Sequence, residues 1–305
     1  VTTVRLLPVQ NRISIIQLCV CDQRYTISML VFLHMENSDS HMEENTNSSW
    51  RTLKTVKRAT EIIRALSELD GAGVSEVADR VDLSRSSTHS QLATLHEADY
   101  LVKDGGEYRL SFEFLLLGEY VRNNSLLFQF GRTEADTLAD ETGHYVHLFT
   151  DEDNLGINVY EARGEHAVDY DYQTLKLQRR EPLHITASGK TILANLSQAE
   201  VEAVIQQHGL EQYTENTITD EGTLFEELER IRERGYAIND EEEIVGFQAV
   251  AAPIQTGSDT VIGSISVAGP TRFFDDNELR DEISEQVINA ANMIQVKINM
   301  ADTRF

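Results

Sequence analysis

VSEVADRVDLSRSSTHSQLATLHE, residues 74–97, reads as two short helices joined by a tight turn. Val77, Ala78 and Val81 form one apolar stripe and Thr88, Leu92 and Leu95 a second, at the three- and four-residue spacing of helices that bury one face. Ser84 follows the turn Val81-Asp82-Leu83 as an N-cap, its hydroxyl able to take a free backbone N–H. Upstream, Val56, Ala59, Ile62, Ile63, Leu66 and Leu69 predict a longer amphipathic helix, which Gly71 and Gly73 end. Downstream, residues 100–102 and 107–110 predict two strands around Lys103-Asp104-Gly105-Gly106, whose dipeptides supply the positive φ angles of a hairpin. Three helices and a hairpin in this order predict a winged helix-turn-helix over residues 51–112.

The chemistry of this segment lies on the exposed face of its third helix. Arg85, Ser86, Ser87, His89, Ser90 and Thr94, with the cap Ser84, are short hydroxyls or cations, and none is a carboxylate. A recognition helix in the major groove needs such groups for base edges and phosphates, and places no acid against the backbone. Lys103 and Arg109 on the hairpin, with Arg51, Lys54, Lys57 and Arg58 at the start of the first helix, are candidates to neutralise further phosphates. The expected partner is double-stranded operator DNA. The bland alternative is a solvated helix face in a winged helix that binds protein.

The charge balance of the whole chain argues the other way. Its 305 residues carry 51 acidic and 26 basic groups, a formal charge of −25. A nucleic-acid binder ordinarily carries a basic patch. Partition resolves the conflict: residues 51–110 carry nine basic and ten acidic groups, whereas residues 111–305 carry 14 and 36. The acidity sits almost entirely in the last two thirds of the chain, and a nearly neutral module can still present one basic face. Of the basic residues only six are Lys. Abundant carboxylates with Arg in place of Lys fit a high-salt cytoplasm of the haloarchaeal kind, where counterion release contributes little to DNA affinity.

Residues 1–50 have no clear period and read as an N-terminal extension, either a disordered arm or sequence upstream of a true start at Met35 or Met42. Cys19 and Cys21 are too few for a disulfide framework and suit a reducing compartment. The apolar stretch 13–33 is broken by Asp22, Gln23 and Arg24, short of the roughly 18 apolar residues of a membrane span. It also lacks a signal-peptide cleavage site. A cytoplasmic protein without a membrane partner is expected.

Beyond the winged helix, residues 112–123 and 126–141 predict two helices of a linker. Strands are expected at 145–150 and 155–162, helices near 188–196, 199–207 and 224–234, and paired strands at 250–254 and 261–268. Leu279, Ile283, Val287, Ala291, Ile294 and Ile298 mark a last helix. Mixed strands and helices make this half, residues 113–303 with the linker, an α+β domain.

Four blocks carry a family resemblance. TVKRATEIIRALSELDGAGVSEVADRVDLSRSSTHSQLATLHEADYLVKDGGEYRLS resembles the DNA-binding half of an IclR-type transcriptional regulator. PLHITASGKTILANLS (182–197), RGYAINDEEEIVGFQAVAAPI (234–254) and VIGSISVAGPTRF (261–273) resemble the effector-binding half, in the family's order. The resemblance implies a homodimer or homotetramer whose GAF-like C-terminal domain binds a small molecule and alters operator affinity. It maps effector contacts onto Ala187, Ser188, Asn239, Ala249, Ser266 and Ala268, a less charged set than many members carry. Many members also have Arg where this chain has Ser90.

Thr186-Ala187-Ser188-Gly189-Lys190-Thr191 ends like a P-loop, but the position that needs the first Gly is His184. What survives is a helix N-terminus with N–H groups at Ala187, Ser188 and Gly189, suited to a small anion, or plain capping by Ser188. The expected effector is a small molecule, with a carboxylate, an aromatic acid and a sugar derivative as the candidate classes. His144 and His147 are three apart in a strand, on opposite faces, so no metal is expected. The run Asp240-Glu241-Glu242-Glu243 reads as capping or solvating a loop. No Gly-x-Ser-x-Gly elbow is present, and neither catalysis nor a cofactor is expected. The chain reads as a ligand-responsive regulator of catabolic or metabolic genes. The alternative is a non-DNA-binding sensor or enzyme on the same architecture.

Overall fold

A computed structural model describes residues 52–167, 180–257, 260–274 and 277–302. The extension 1–50 and the candidate phosphate contact Arg51 lie outside them. The first elements are α1 (Lys54–Glu68), β1 (Ala72–Gly73), α2 (Val74–Arg80), α3 (Arg85–Glu97), β2 (Leu101–Asp104) and β3 (Glu107–Leu110). Ile62, Leu66, Val77, Leu92, Leu101 and Tyr108 form their common core. Ser84 caps α3, accepting from the Ser87 N–H at 3.2 Å. The hairpin closes on Gly105 and Gly106 alone, at φ +57° and +98°, the two-residue turn that needs positive φ twice. Sequence reading misses β1, which pairs with β3 through Ala72 and Tyr108 and completes a three-stranded sheet. Two residues are too few to show an alternation.

The remaining elements are α4 (Glu113–Asn123), α5 (Leu126–Thr142), β4 (Tyr145–Glu152), β5 (Leu155–Arg163), β6 (Glu181–Pro182), α6 (Ala187–Ala194), α7 (Gln198–His208), α8 (Glu221–Arg234), β7 (Ala237–Asp240), β8 (Phe247–Gln255), β9 (Val261–Pro270) and α9 (Asn277–Asp302). Six strands form one antiparallel sheet in the order β6-β5-β4-β9-β8-β7. Val146, Leu148, Val250, Ile265 and Val267 share a core with residues of α5 and α9. Phe149 and Ala251 share a second core with residues of α6, α7 and α8. The central strands are buried over nearly their whole length, so they read as runs of apolar and small residues rather than as an alternation.

Two expectations are corrected. The helices expected as a linker differ in kind: α5 buries Leu127, Ala135, Leu138 and Ala139 in the first core, whereas α4 buries no residue. Strands β6 and β7 are additional; Ala237-Ile238-Asn239-Asp240 has one β-branched residue, no aromatic one, and two that disfavour strands. In α9 the stripe Ile283, Val287, Ala291, Ile294 and Ile298 is buried as the spacing predicts, while the Leu279 side chain lies outside the described ones. Among the described residues no helix is long and apolar enough to cross a membrane.

The inner stripe of α9 carries its contribution to stability. Ile298→Ala is expected to cost about 2–5 kcal/mol, whereas Met300→Ala on the exposed side stays within about 0.5 kcal/mol of wild type, as read by chemical denaturation at fixed salt.

Candidate DNA-binding surface and effector pocket

Helix α3 divides as its sequence predicts: Thr88 and Leu92 are fully buried, while Arg85, Ser86, His89, Ser90 and Thr94 are exposed and Ser87 half-buried. The hydroxyls of Ser90 and Thr94 donate back to the carbonyls of Ser86 and Ser90, at 3.1 and 2.9 Å, which leaves their lone pairs facing outward as acceptors. His96 ties the end of α3 to the hairpin through the Leu101 carbonyl at 2.8 Å, and its ring stands edge-on to Tyr108. On the hairpin the Lys103 ammonium lies 4.9 Å from the centre of the Tyr108 ring. Arg109 is 3.5 Å from Glu107, an exposed pair of little energetic weight. Lys54, Lys57 and Arg58 stand on the exposed first turns of α1. None of these three, nor Arg85, forms an ion pair with a described residue.

On the second face of the large sheet, six of the seven candidate effector residues surround one cavity of about 30 Å³: Ala187, Ser188, Asn239, Ala249, Ser266 and Ala268. Strand register explains half of the set, because Asn239, Ala249 and Ala268 lie in one row across β7, β8 and β9. A space of this size holds about one or two water molecules. Its other lining residues are His147, Phe149, Asn158, Thr186 and Glu243, which sequence reasoning did not select. His147 comes in because it pairs with Ser266 in register, a relation no local pattern carries.

The start of α6 differs from the expectation in two respects. Thr186, not Ser188, is the N-cap, and its hydroxyl accepts the Gly189 N–H at 2.9 Å. Gly189 therefore has no N–H to offer and does not border the cavity. A Cβ there would lie 2.2 Å from the Leu183 carbonyl oxygen, so the glycine permits a close approach of α6 to the preceding turn. Ala187 and Ser188 remain as the residues of the first helical turn beside the cavity.

The lysine of the same motif is spent internally. Lys190 is fully buried, and its ammonium meets both carboxylate oxygens of Glu242 at 2.5 and 2.6 Å. The acidic run is thus no solvated loop; Glu242 is its buried member. Burial pushes the Glu242 carboxyl up, against the pull of Lys190. Asn239 donates to the Ile185 carbonyl at 2.7 Å and accepts the Glu242 N–H at 2.9 Å. Thr217 donates to the Glu242 carbonyl at 2.6 Å. These contacts clamp the β7–β8 turn, which supplies Glu243, to the start of α6.

His147 is 3.3 Å from Glu161, which also receives Arg163 at 3.0 Å. Burial alone would raise the Glu161 carboxyl, but these two partners hold it below the ordinary range. His144 instead packs on Phe273 and Phe274, ring centres 4.7 and 5.7 Å away. Burial, helped by neighbouring His166, lowers its pKa to about 4. Among the described residues no cluster of three His, Cys, Asp or Glu is arranged for a metal ion.

Comparison with known proteins bears on this geometry. Residues 55–105 match the family model described as the IclR helix-turn-helix domain, and residues 121–296 the one described as bacterial transcriptional regulator IclR C-terminal. The chain belongs to the IclR family. It is 35% identical to a Halobacterium salinarum protein named "Probable HTH-type transcriptional regulator ArcR", over 85% of this chain and 99% of the relative. It is 28% identical to the HTH-type transcriptional regulator KdgR of Escherichia coli K12, over 89% and 100%. The Thermotoga maritima IclR structure superposes with a TM-score of 0.67 at 27% identity, covering 81% of this chain and 99% of that one. These relatives are named as regulators, not enzymes. This IclR-family chain is accordingly a ligand-responsive DNA-binding transcriptional regulator.

Two measurements test the buried charges. Lys190→Met leaves Glu242 buried without its partner and is expected to cost about 3–5 kcal/mol, while the double change Lys190→Met with Glu242→Leu recovers most of that loss; denaturation of both variants reads the difference. For His144, the unfolded chain takes up its proton near pH 6.5 and the folded chain only near pH 4. Its contribution is therefore complete above pH 6.5 and declines as pH falls toward 4. Between pH 7 and 4.5, His144→Phe should lose less Tm than wild type.

Proposed function

We propose that this IclR-family chain is a homo-oligomeric, cytoplasmic regulator of catabolic or metabolic genes that reads a two-half-site operator through α3 and senses a small molecule in the cavity beneath α6. The observation that carries the DNA reading is the exposed face of α3, where Arg85, Ser86, His89, Ser90 and Thr94 stand clear of the core. The only acid of that helix is Glu97, at its far end. In this reading Arg85 and His89 contact bases or phosphates, and Ser90 and Thr94 accept from base amino groups. Ser84, Ser86, Ser87, Lys103 and Arg109, with Arg51, Lys54, Lys57 and Arg58, position the backbone. No cofactor takes part.

The working division is a DNA-binding module over residues 51–112 and a linker helix with sensor over 113–303. The linker helix supports self-association. Phe112, Leu116, Tyr120 and Val121, at its start and along α4, are between 63% and 84% exposed. A helix apolar on most sides is ordinarily covered, and a second copy covers it while setting two recognition helices apart for two half-sites. A dimer, or a pair of dimers, follows. The effector contacts are Ala187, Ser188, Asn239, Ala249, Ser266 and Ala268, with His147, Phe149 and Asn158 added. A relative from Microbacterium hydrocarbonoxydans of the same fold is complexed with 4-hydroxybenzoate. That favours a carboxylate or aromatic acid over the third candidate, a sugar derivative, and in this reading its entry enlarges the cavity. The acidic sensor fits work in concentrated salt.

The test is DNA selection. The purified full chain, in molar KCl, is expected to enrich a sequence with two half-sites from random duplexes and from its own upstream region. The double variant Arg85→Ala with His89→Ala should lose about tenfold or more in affinity at unchanged Tm. A wild-type chain that enriches nothing at any salt, or a double variant that binds as wild type, overturns the reading.

A further inference from the structure

Strands β4 and β5 are out of step at one point. Leu148 faces Tyr160, but Phe149 faces Asn158, so Val159 is left without a partner. A bulge of this kind bends the strand and sharpens its twist. The Asn158 side chain fills the gap: with its amide turned to satisfy its neighbours, it donates to the carbonyls of Tyr160 at 3.0 Å and Leu148 at 3.1 Å. Asn158 also borders two spaces at once. One is the cavity beneath α6; the other is a groove of about 620 Å³ between α4 and the β4–β5 hairpin.

From the bulge a packed path leads to the linker helix. The Tyr160 hydroxyl donates to Asp136 on α5 at 2.6 Å. Its ring meets Phe128 edge-on at 5.5 Å. The Arg122 guanidinium, in the last turn of α4, lies 5.0 Å from the Phe128 ring centre. Arg122 is paired with Glu119, yet its Nε is buried with no hydrogen-bond partner. An unsatisfied buried donor makes that seat less stable than a fully bonded one, which suits a joint with two arrangements.

We infer that Asn158 is a positioning residue through which the cavity sets the seat of α4. This rests on the chain being a ligand-responsive DNA-binding regulator. A molecule in the cavity that takes the Asn158 amide frees the carbonyls of Leu148 and Tyr160. The bulge is then free to change its twist, Tyr160 moves against Phe128, and Arg122 carries the change into α4. Energetic coupling of this kind ordinarily changes affinity 5- to 150-fold or so.

The experiment uses the full chain and the duplex that wild type enriches most, with Kd read by fluorescence anisotropy. Asn158→Asp keeps the shape but removes the donor; Asn158→Ser removes the reach. Both should change the DNA Kd by about fivefold or more, with a Tm shift no larger than about 4 °C. Asn158 is not among the DNA contacts. Combined with Phe128→Leu, the change should be smaller than the product of the single effects, because both act on one path. A Kd within about twofold of wild type for both Asn158 variants, or effects that multiply, overturns the inference and leaves the regulator reading intact. A wild-type chain that binds no duplex sinks both.

Discussion

A six-stranded antiparallel sheet that must be covered on both faces is the constraint from which the sensor half follows. Its central strands carry apolar or small residues on each side, so neither face can meet water without loss of burial. Helices α5 and α9 close one face with aliphatic side chains. The other is closed by α6, α7 and α8, and where α6 begins the cover is made of small and polar residues instead: Thr186, Ala187 and Ser188 over Ala249, Ser266 and Ala268. The cavity is the place where that second layer lacks bulk. It needs no special loop, only small side chains at facing positions.

Small residues alone would leave such a site soft, and buried polar contacts give it a fixed shape. Lys190 and Glu242 are brought together across 52 positions of sequence, with Asn239 accepting from the Glu242 N–H and Thr217 and Thr214 donating to its carbonyl. Replacing a buried ion pair by apolar groups often leaves stability unchanged, so its worth here lies in geometry more than in energy. It holds the β7–β8 turn against α6, and with it Asn239 and Glu243 at the cavity wall. The same motif that resembles a P-loop is therefore a packing and clamping device: Thr186 caps, Gly189 allows close approach, and Lys190 neutralises an acid inside the fold.

Much of the DNA-binding half is legible from local pattern. The stripes of α1, α2 and α3, the Ser84 cap and the Gly105-Gly106 turn all depend on residues within a few positions of one another. Only β1 escapes, being two residues long and defined entirely by its partner β3. In the sensor half the strongly periodic α9 and the central strands are equally legible. The linker is not: α4 and α5 look alike in composition, and only contact with the sheet separates a core helix from an uncovered one.

By itself, the sequence determined the helices, the hairpin turn, the division of charge and the acid-free face of α3, because each is set by side chains that are neighbours along the chain. Family resemblance reached further, to six residues that line the cavity, without saying how they meet. Tertiary structure decided the rest. Register places His147 beside Ser266 and Asn158 at a bulge, and folding turns one glutamate of an acidic run inward onto Lys190 while its neighbours stay nearer the surface. Such relations join segments far apart in the chain, and the free energy that selects them comes from burial and pairing in the assembled sheet, which no local window of residues contains.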